Sequence, residues 1–304
     1  TPSSSLRSFS HKGEIVNSGD YTGGVVGSSL NANVSISDCT HWGNIEGKSY
    51  TGGIVGAYGR ANEVKPTYHT STSKYKIEGG SIISSRIDPT TIVYKKSYSL
   101  SPIIEGCTVI GDIKGVIGVG GLIGTTKDGY RYEYSAHNGN NNGPYDYYLF
   151  RNDILVTSKT YSSYSPTDVY VLVGVNLSIS DCSYSGKLQG TYNVGGISGY
   201  QREGSINRCI SNSTSIKGTG CTGGIIGKNE DVTVQNCFAL SRTISASTLD
   251  SLGRISGSAN TNNANNMALV TTKVFSNGVL QSITDDDAKQ GQSIGASILK
   301  LKAT

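Results

Sequence analysis

The chain is short of proline, of charge, and of every aromatic residue except tyrosine. Its 304 residues include 6 prolines, 4 phenylalanines, 1 tryptophan and 1 methionine, and only 16% are charged. No run of about 18 apolar residues occurs, which excludes a membrane-spanning helix. The formal net charge of +4 is small and scattered, which excludes the basic patch of a nucleic-acid-binding protein. The opening "TPSSSLRS" lacks a charged, then apolar, then small-residue leader, so the chain reads as cytoplasmic or as mature after leader removal. The four histidines, His11, His41, His69 and His137, have no paired-ligand spacing. His41 is expected at a solvated corner. No metal and no cofactor is expected.

What the chain has instead is 40 glycines and 19 tyrosines. The glycines are periodic. "GGVVG" at Gly23 and Gly24 returns as "GGIVG" at Gly52 and Gly53, "GGLIG" at Gly120 and Gly121, "GGISG" at Gly195 and Gly196, and "GGIIG" at Gly223 and Gly224. A decayed "GRISG" begins at Gly253. Successive copies start 29, 68, 75, 28 and 30 residues apart, so two intervals carry about forty extra residues each. An aliphatic residue precedes each copy: Ile15, Ile45, Ile113, Leu188, Ile216 and Ile244. After the copies come Cys39, Cys107, Cys182, Cys209 and Cys237, with Met267 as the sixth member.

Each unit contains short β-branched runs between glycine or small polar turns, with no helical apolar stripe. A unit that small buries its apolar side only by stacking on a copy of itself. The expectation is an all-β fold: one right-handed parallel β-helix domain, 1–304, of about six coils, with insertions at approximately 57–100 and 125–172. The recurring glycines are then corners where a Cβ would clash or φ turn positive, and not a phosphate cradle. A β-propeller needs blades longer than the period of 28. The cysteines are expected as a buried core column of reduced thiols. "GTGCTG" at Gly218 matches a dinucleotide fingerprint but is followed by another β-rich unit, and Cys221 reads as a tolerated substitution.

The motifs "YTGGVVG", "YTGGIVG", "VGGLIG", "VGGISG" and "TGGIIG", with "DCTHWGNIEG", "GCTVIGDIKG" and "DCSYSGKLQG" between them, resemble the GLUG-motif repeats. These occur in bacterial surface proteins, including adhesin-like and IgA-peptidase-like ones. The resemblance covers about two-thirds of the chain and implies a secreted β-helix, located extracellularly or at the bacterial cell surface, with little chemistry of its own. No H-E-x-x-H zinc-peptidase signature is present, so the peptidase activity does not carry over.

Catalysis on a β-helix needs clustered carboxylates. The residues before the column cysteines, Asp38, Gly106, Asp181, Arg208 and Asn236, with Asn266 before Met267, form a mixed ladder suited to side-chain hydrogen bonding. Asp181 and Arg208 are expected to form an ion pair. "DDD" at 285–287 reads as a solvated acidic turn, since it lacks calcium-loop spacing. In the insertions, Glu133, Asp146 and Asp153 are candidates for an acidic cluster, and nothing in the spacing brings them together.

Function is expected in the insertions. The first carries Lys65, Lys74, Lys76, Lys95 and Lys96. The second carries Tyr130, Tyr132, Tyr134, Tyr145, Tyr147 and Tyr148 among Asn, Asp, Glu and Arg, a composition suited to sugar stacking or protein recognition. A plain β-hairpin with its turn at "NGNNNG" is an equally good and compatible reading. The expected role is a non-catalytic, adhesin-like module that binds a glycan or a host or neighbouring-cell surface protein, with possible adjoining domains. The alternatives are a polysaccharide-degrading β-helix enzyme and a passive spacer.

Overall fold

The computed structural model describes residues 3–30, 33–59, 76–78, 81–84, 98–127, 130–136, 145–151, 154–161, 174–260 and 262–295. By internal contacts the chain divides into two compact units. One is Thr1–Tyr58, Ser101–Thr126 and Asn176–Thr304; the other is Gly59–Leu100 and Lys127–Val175.

The first unit is a parallel β-helix. Three largely parallel sheets run along it; the six-stranded one takes a single short strand from every coil, and the other two take one or two. The six-stranded sheet has the order Thr22–Gly23, Ser49–Gly52, Ile117–Gly120, Tyr192–Gly195, Thr222–Gly223, Leu252–Gly253, one strand per repeat. Its register pairs Gly23, Gly52, Gly120, Gly195, Gly223 and Gly253 in succession. The aliphatic series is a second continuous column, from Ile15 through Ile45, Ile113, Leu188 and Ile216 to Ile244. Ile45 to Ile244 are buried to within 1%. Each such side chain contributes about 1.5–3 kcal/mol of burial.

The glycine pairs are required by close approach. A Cβ on Gly121 would overlap the Gly196 carbonyl oxygen of the next coil and lie 2.5 Å from the Tyr184 ring. The same relation repeats along the solenoid. Gly24 faces His41, Gly53 faces Val109, Gly196 faces Ser211 and Gly224 faces Ala239. The second glycine of each pair therefore makes room for an inward side chain of the opposite sheet, two residues after the thiol position.

That thiol position is a third column. Cys39, Cys107, Cys182, Cys209 and Cys237 are buried and free of disulfides, and each thiol donates to the carbonyl two residues before it. Burial pushes the Cys39 thiol up, which keeps it protonated. Met267 is not the sixth member. Register places it beside Phe238, so the residue beside Cys237 is Asn266, which is 1% exposed. The Cys237 amide donates to its Oδ1 at 3.0 Å, and its Nδ2 donates to the Val234 carbonyl at 2.7 Å.

The residue before this column has φ near +55° in every coil: Ser8, Asp38, Gly106, Asp181, Arg208, Asn236 and Asn265 have φ between 52° and 63°. The preference for Asp, Asn and Gly there follows from the left-handed conformation. The ladder predicted from sequence ran one residue late at its end, and its composition reflects backbone shape.

In the second unit, Lys76–Glu78 pairs antiparallel with Ser81–Ser84. Tyr98–Leu100 runs parallel to the start of Gly174–Ser180. Tyr130–Ala136, Tyr145–Arg151 and Ile154–Tyr161 form a three-stranded antiparallel sheet. Among the described residues no helix is long and apolar enough to cross a membrane.

Candidate functional site

The tyrosines singled out in the second insertion lie on adjacent strands of this antiparallel sheet. Register places Tyr134 opposite Tyr147, Glu133 opposite Tyr148, Ser135 opposite Asp146 and Ala136 opposite Tyr145. Tyr132 is opposite Leu149, and Tyr130 is opposite Arg151. The antiparallel pairing that the hairpin reading of "YRYEY" expected is observed, its turn at "NGNNNG" lying outside the described residues, and the backbone brings the two tyrosine clusters together. Glu133 and Asp146 lie on these paired strands, whereas Asp153 is outside the described residues. Of the basic residues in the first insertion, Lys76 begins a strand and Lys65, Lys74, Lys95 and Lys96 lie outside the described residues.

In the β-helix two tyrosines are core, whereas Tyr192 is exposed. Tyr58 and Tyr184 are each 1% exposed. Tyr58 donates to the Val34 carbonyl at 2.9 Å, and Tyr184 is placed to donate to the carbonyls of Lys187 and Gly111 at 2.8 and 3.1 Å. Burial pushes both phenols up, so they are neutral donors.

The β-helix holds a charged corner that the sequence reading missed. Strands Ser198–Asn207 and Ile226–Gln235 run in register, pairing Gln201 with Asn229 and Glu203 with Asp231. Arg202 and Glu203 are 7% and 4% exposed. Glu230 lies 3.4 Å from the Arg202 Nε and 3.0 Å from the Lys228 Nζ, and that ammonium sits 5.4 Å from the centre of the Tyr200 ring. Asp231 accepts from the Asn262 amide at 3.1 Å. Gln201 fixes the strand by donating to the Leu177 and Glu203 carbonyls. A carboxylate thus stands at one register position in two consecutive coils, with a buried guanidinium next to it. The signal was available: Arg202 and Glu230, and Glu203 and Asp231, are each one 28-residue period apart.

The remaining candidates have structural roles. Arg208 holds Asp181 through two hydrogen bonds, of 2.7 and 2.5 Å, as expected, and this holds the carboxyl below its usual range. His41 is fully buried. It occupies the inward position that Val109 and Tyr184 fill in later coils, which overturns the solvated-corner expectation. The acidic run is also more than a solvated turn. Asp285 is bonded by Ser293 and by Arg254, at 2.6 Å, and Asp286 accepts from the Lys289 and Gln290 amides. Among the described residues no three His, Cys, Asp or Glu side chains come together as a metal site.

These features define a parallel β-helix carrying an antiparallel, tyrosine-bearing insertion and one mixed-charge corner. No protein-family model and no curated protein matches the chain. Among solved structures it is similar to a crystal structure of a candidate immunoglobulin A1 protease from Bacteroides ovatus. The two are 16% identical with a TM-score of 0.47, and the match covers 96% of this chain and 68% of that one. The strand register of the chain itself defines the β-helix.

Proposed function

We propose that the chain is a non-catalytic, adhesin-like module at the bacterial cell surface, built on GLUG-type repeats, that binds a glycan or a surface protein through its tyrosine-rich insertion. The observation that carries this reading is the register of the antiparallel sheet. It sets Tyr134 beside Tyr147, with Glu133, Ser135 and Asp146 at adjoining positions. Alternation along the strands sets Tyr148 in the same set of positions as Glu133, Ser135 and Asp146, and a tyrosine among carboxylate and hydroxyl residues suits the C–H face and the hydroxyls of a pyranose, and equally the mixed surface of a protein.

The test is a binding screen on immobilised glycans and extracellular-matrix proteins. It compares the intact chain with one in which residues 128–173 are replaced by a short turn, leaving strands Ile123–Lys127 and Gly174–Ser180 in place. Binding that disappears with the insertion supports the module. An intact chain that binds nothing removes the adhesin reading and leaves the spacer.

A glycan-degrading enzyme is the second reading. Glu203 and Asp231, at one position of consecutive coils beside Arg202, favour it. Neighbouring parallel strands lie about 4.8 Å apart, close to the separation of about 5–5.5 Å between the carboxyls of retaining glycosidases. Release of reducing ends from a polysaccharide panel, abolished in Glu203→Gln, would establish this reading in place of the first.

A further inference from the structure

The column that runs His11, His41, Val109, Tyr184, Ser211 begins with two imidazoles. Their Nδ1 atoms are 3.0 Å apart, the ring centres are 5.1 Å apart, and the planes lie within 12° of parallel. Nitrogens that close with centres that distant mean that the rings meet end to end, in a nitrogen-to-nitrogen hydrogen bond, and not face to face. His41 is fully buried, and its Nε2 lies 3.2 Å from the Gly43 carbonyl, which can only accept. The His41 proton is therefore on Nε2, its Nδ1 is bare, and the His11 Nδ1–H is the donor between the rings.

We propose that this pair is a proton-gated latch on the first coil, holding residues 3–16 to the second coil only while His41 stays uncharged. A proton added to His41 has only its Nδ1 to bind. There it would meet the His11 N–H head-on and place a positive charge in a ring cut off from water. Among the described residues the one group that opposes this is the Gly43 carbonyl, which already accepts from Nε2 in the neutral ring and is outweighed by burial and His11. Gly24 presses on the ring and Val109 follows it in the next coil. Thr40 and Trp42 flank it in sequence with Cys39 one residue further back, and the strand of His11 adds Lys12, with Glu14 beyond the Gly13 turn. His11 is the titratable group that acts on His41; burial, then His11, push its pKa below the usual imidazole value.

The sign follows. A histidine with a lowered folded pKa contributes stability that is complete above the unfolded value of about 6.5 and is lost as pH falls through the folded value. The loss falls on the weakest coil. Leu6, His11 and Ile15 are half-buried, whereas their register partners Ile36, His41 and Ile45 are fully buried. Local opening starts where burial is least.

The test is amide hydrogen exchange on the full chain at about pH 7.5 and about pH 5, corrected for intrinsic rates, with residues 205–217 as internal reference. Protection of residues 3–16 is expected to fall about tenfold relative to the reference at the lower pH, and to stay level in His41→Val, which copies the residue at 109. An equal fall in the variant, or no fall in the wild type, overturns the latch. If the variant does not fold, imidazole nitrogen NMR of the wild type decides. A bare His41 Nδ1 at neutral pH and loss of first-coil protection that tracks the His41 titration are expected. Titration of His41 without that loss overturns the proposal.

Discussion

The two ends of the β-helix close their cores in different ways. At the N-terminal end the inward columns finish on half-buried Leu6, His11 and Ile15, and the position beside Cys39 is Phe9, 42% exposed. At the C-terminal end the aliphatic column runs on to the fully buried Val274, whereas the thiol column passes into a network of bonded polar groups. Asn266 takes over from the thiols, and Asn229, Asn260 and Asn263 bond to one another and to the Val232, Glu230 and Ala288 carbonyls. Arg254, 4% exposed, ties down the last strand. It donates to Asp285, to Ser293 at 3.0 Å and to the Gly291 carbonyl at 3.1 Å. A solenoid must satisfy the backbone and core at each end. Here one end uses a fixed network, and the other uses a proton.

The largest effect is expected from breaking the fixed end. Arg254→Met removes the guanidinium from three partners. Breaking a buried pair costs about 3–5 kcal/mol, and because Asp285 is itself 37% exposed and stays hydrated, about 3 kcal/mol is expected. Denaturant unfolding of the full chain measures it, and a change under 1 kcal/mol would mean that the clamp does not hold the end. Asn266→Cys follows. It extends the thiol column by one member but strips the Cys237 amide of its Asn266 acceptor and leaves the Val234 carbonyl with the Ala264 amide alone. An unsatisfied buried group costs about 1–3 kcal/mol, so the variant is expected to be destabilised even though it makes the repeat more regular.

Acid separates the ends without mutation. The Asp285 carboxyl is held below its usual range, first by its bonds to Ser293 and then by Arg254. A depressed carboxylate contributes stability above its unfolded pKa of about 3.9 and loses it as pH falls through the lowered folded value. The histidine end starts to lose its contribution near pH 6.5. Hydrogen exchange along the chain during acidification is therefore expected to open residues 3–16 well before residues 285–294, and simultaneous opening would erase the contrast.

Much of this was legible in the sequence wherever packing forces identity. The glycine pairs and the Ile15 to Ile244 column could be placed because a Cβ is not accommodated at the paired glycines of the first five copies, nor a polar atom in the aliphatic column, and only the sixth copy breaks the pair, with Arg254. Legibility failed at the ends. Met267 was taken for a core residue because it is apolar and lies at the right distance. The true position, Asn266, is polar because the column stops near there and its backbone neighbours need partners. His41 was misread because the residue two after the thiol varies as His, Val, Tyr, Ser and Ala. Only the facing glycine of each pair shows that this position points inward. The charged corner was hidden for another reason: its period is that of the repeat, but its residues change from coil to coil. The insertions carry no period, so their strand pairing left no trace beyond the alternation in "YRYEY".

The smallest expected effect tests what the residue before the thiol is for. Arg208 and Asp181 form a two-bond ion pair, yet their side chains are 55% and 40% exposed, and pairs so exposed contribute little. Both residues hold φ near +52°, a conformation that costs an ordinary L-residue and costs glycine nothing. If backbone shape sets this position, Arg208→Gly loses the ion pair and leaves the melting midpoint level or slightly raised. Arg208→Val, which also loses the pair but is β-branched, lowers it by a few degrees. If the ion pair sets the position, the two variants fall together. Thermal melts of both, at low and high salt, separate the two causes, because only the ion pair is screened.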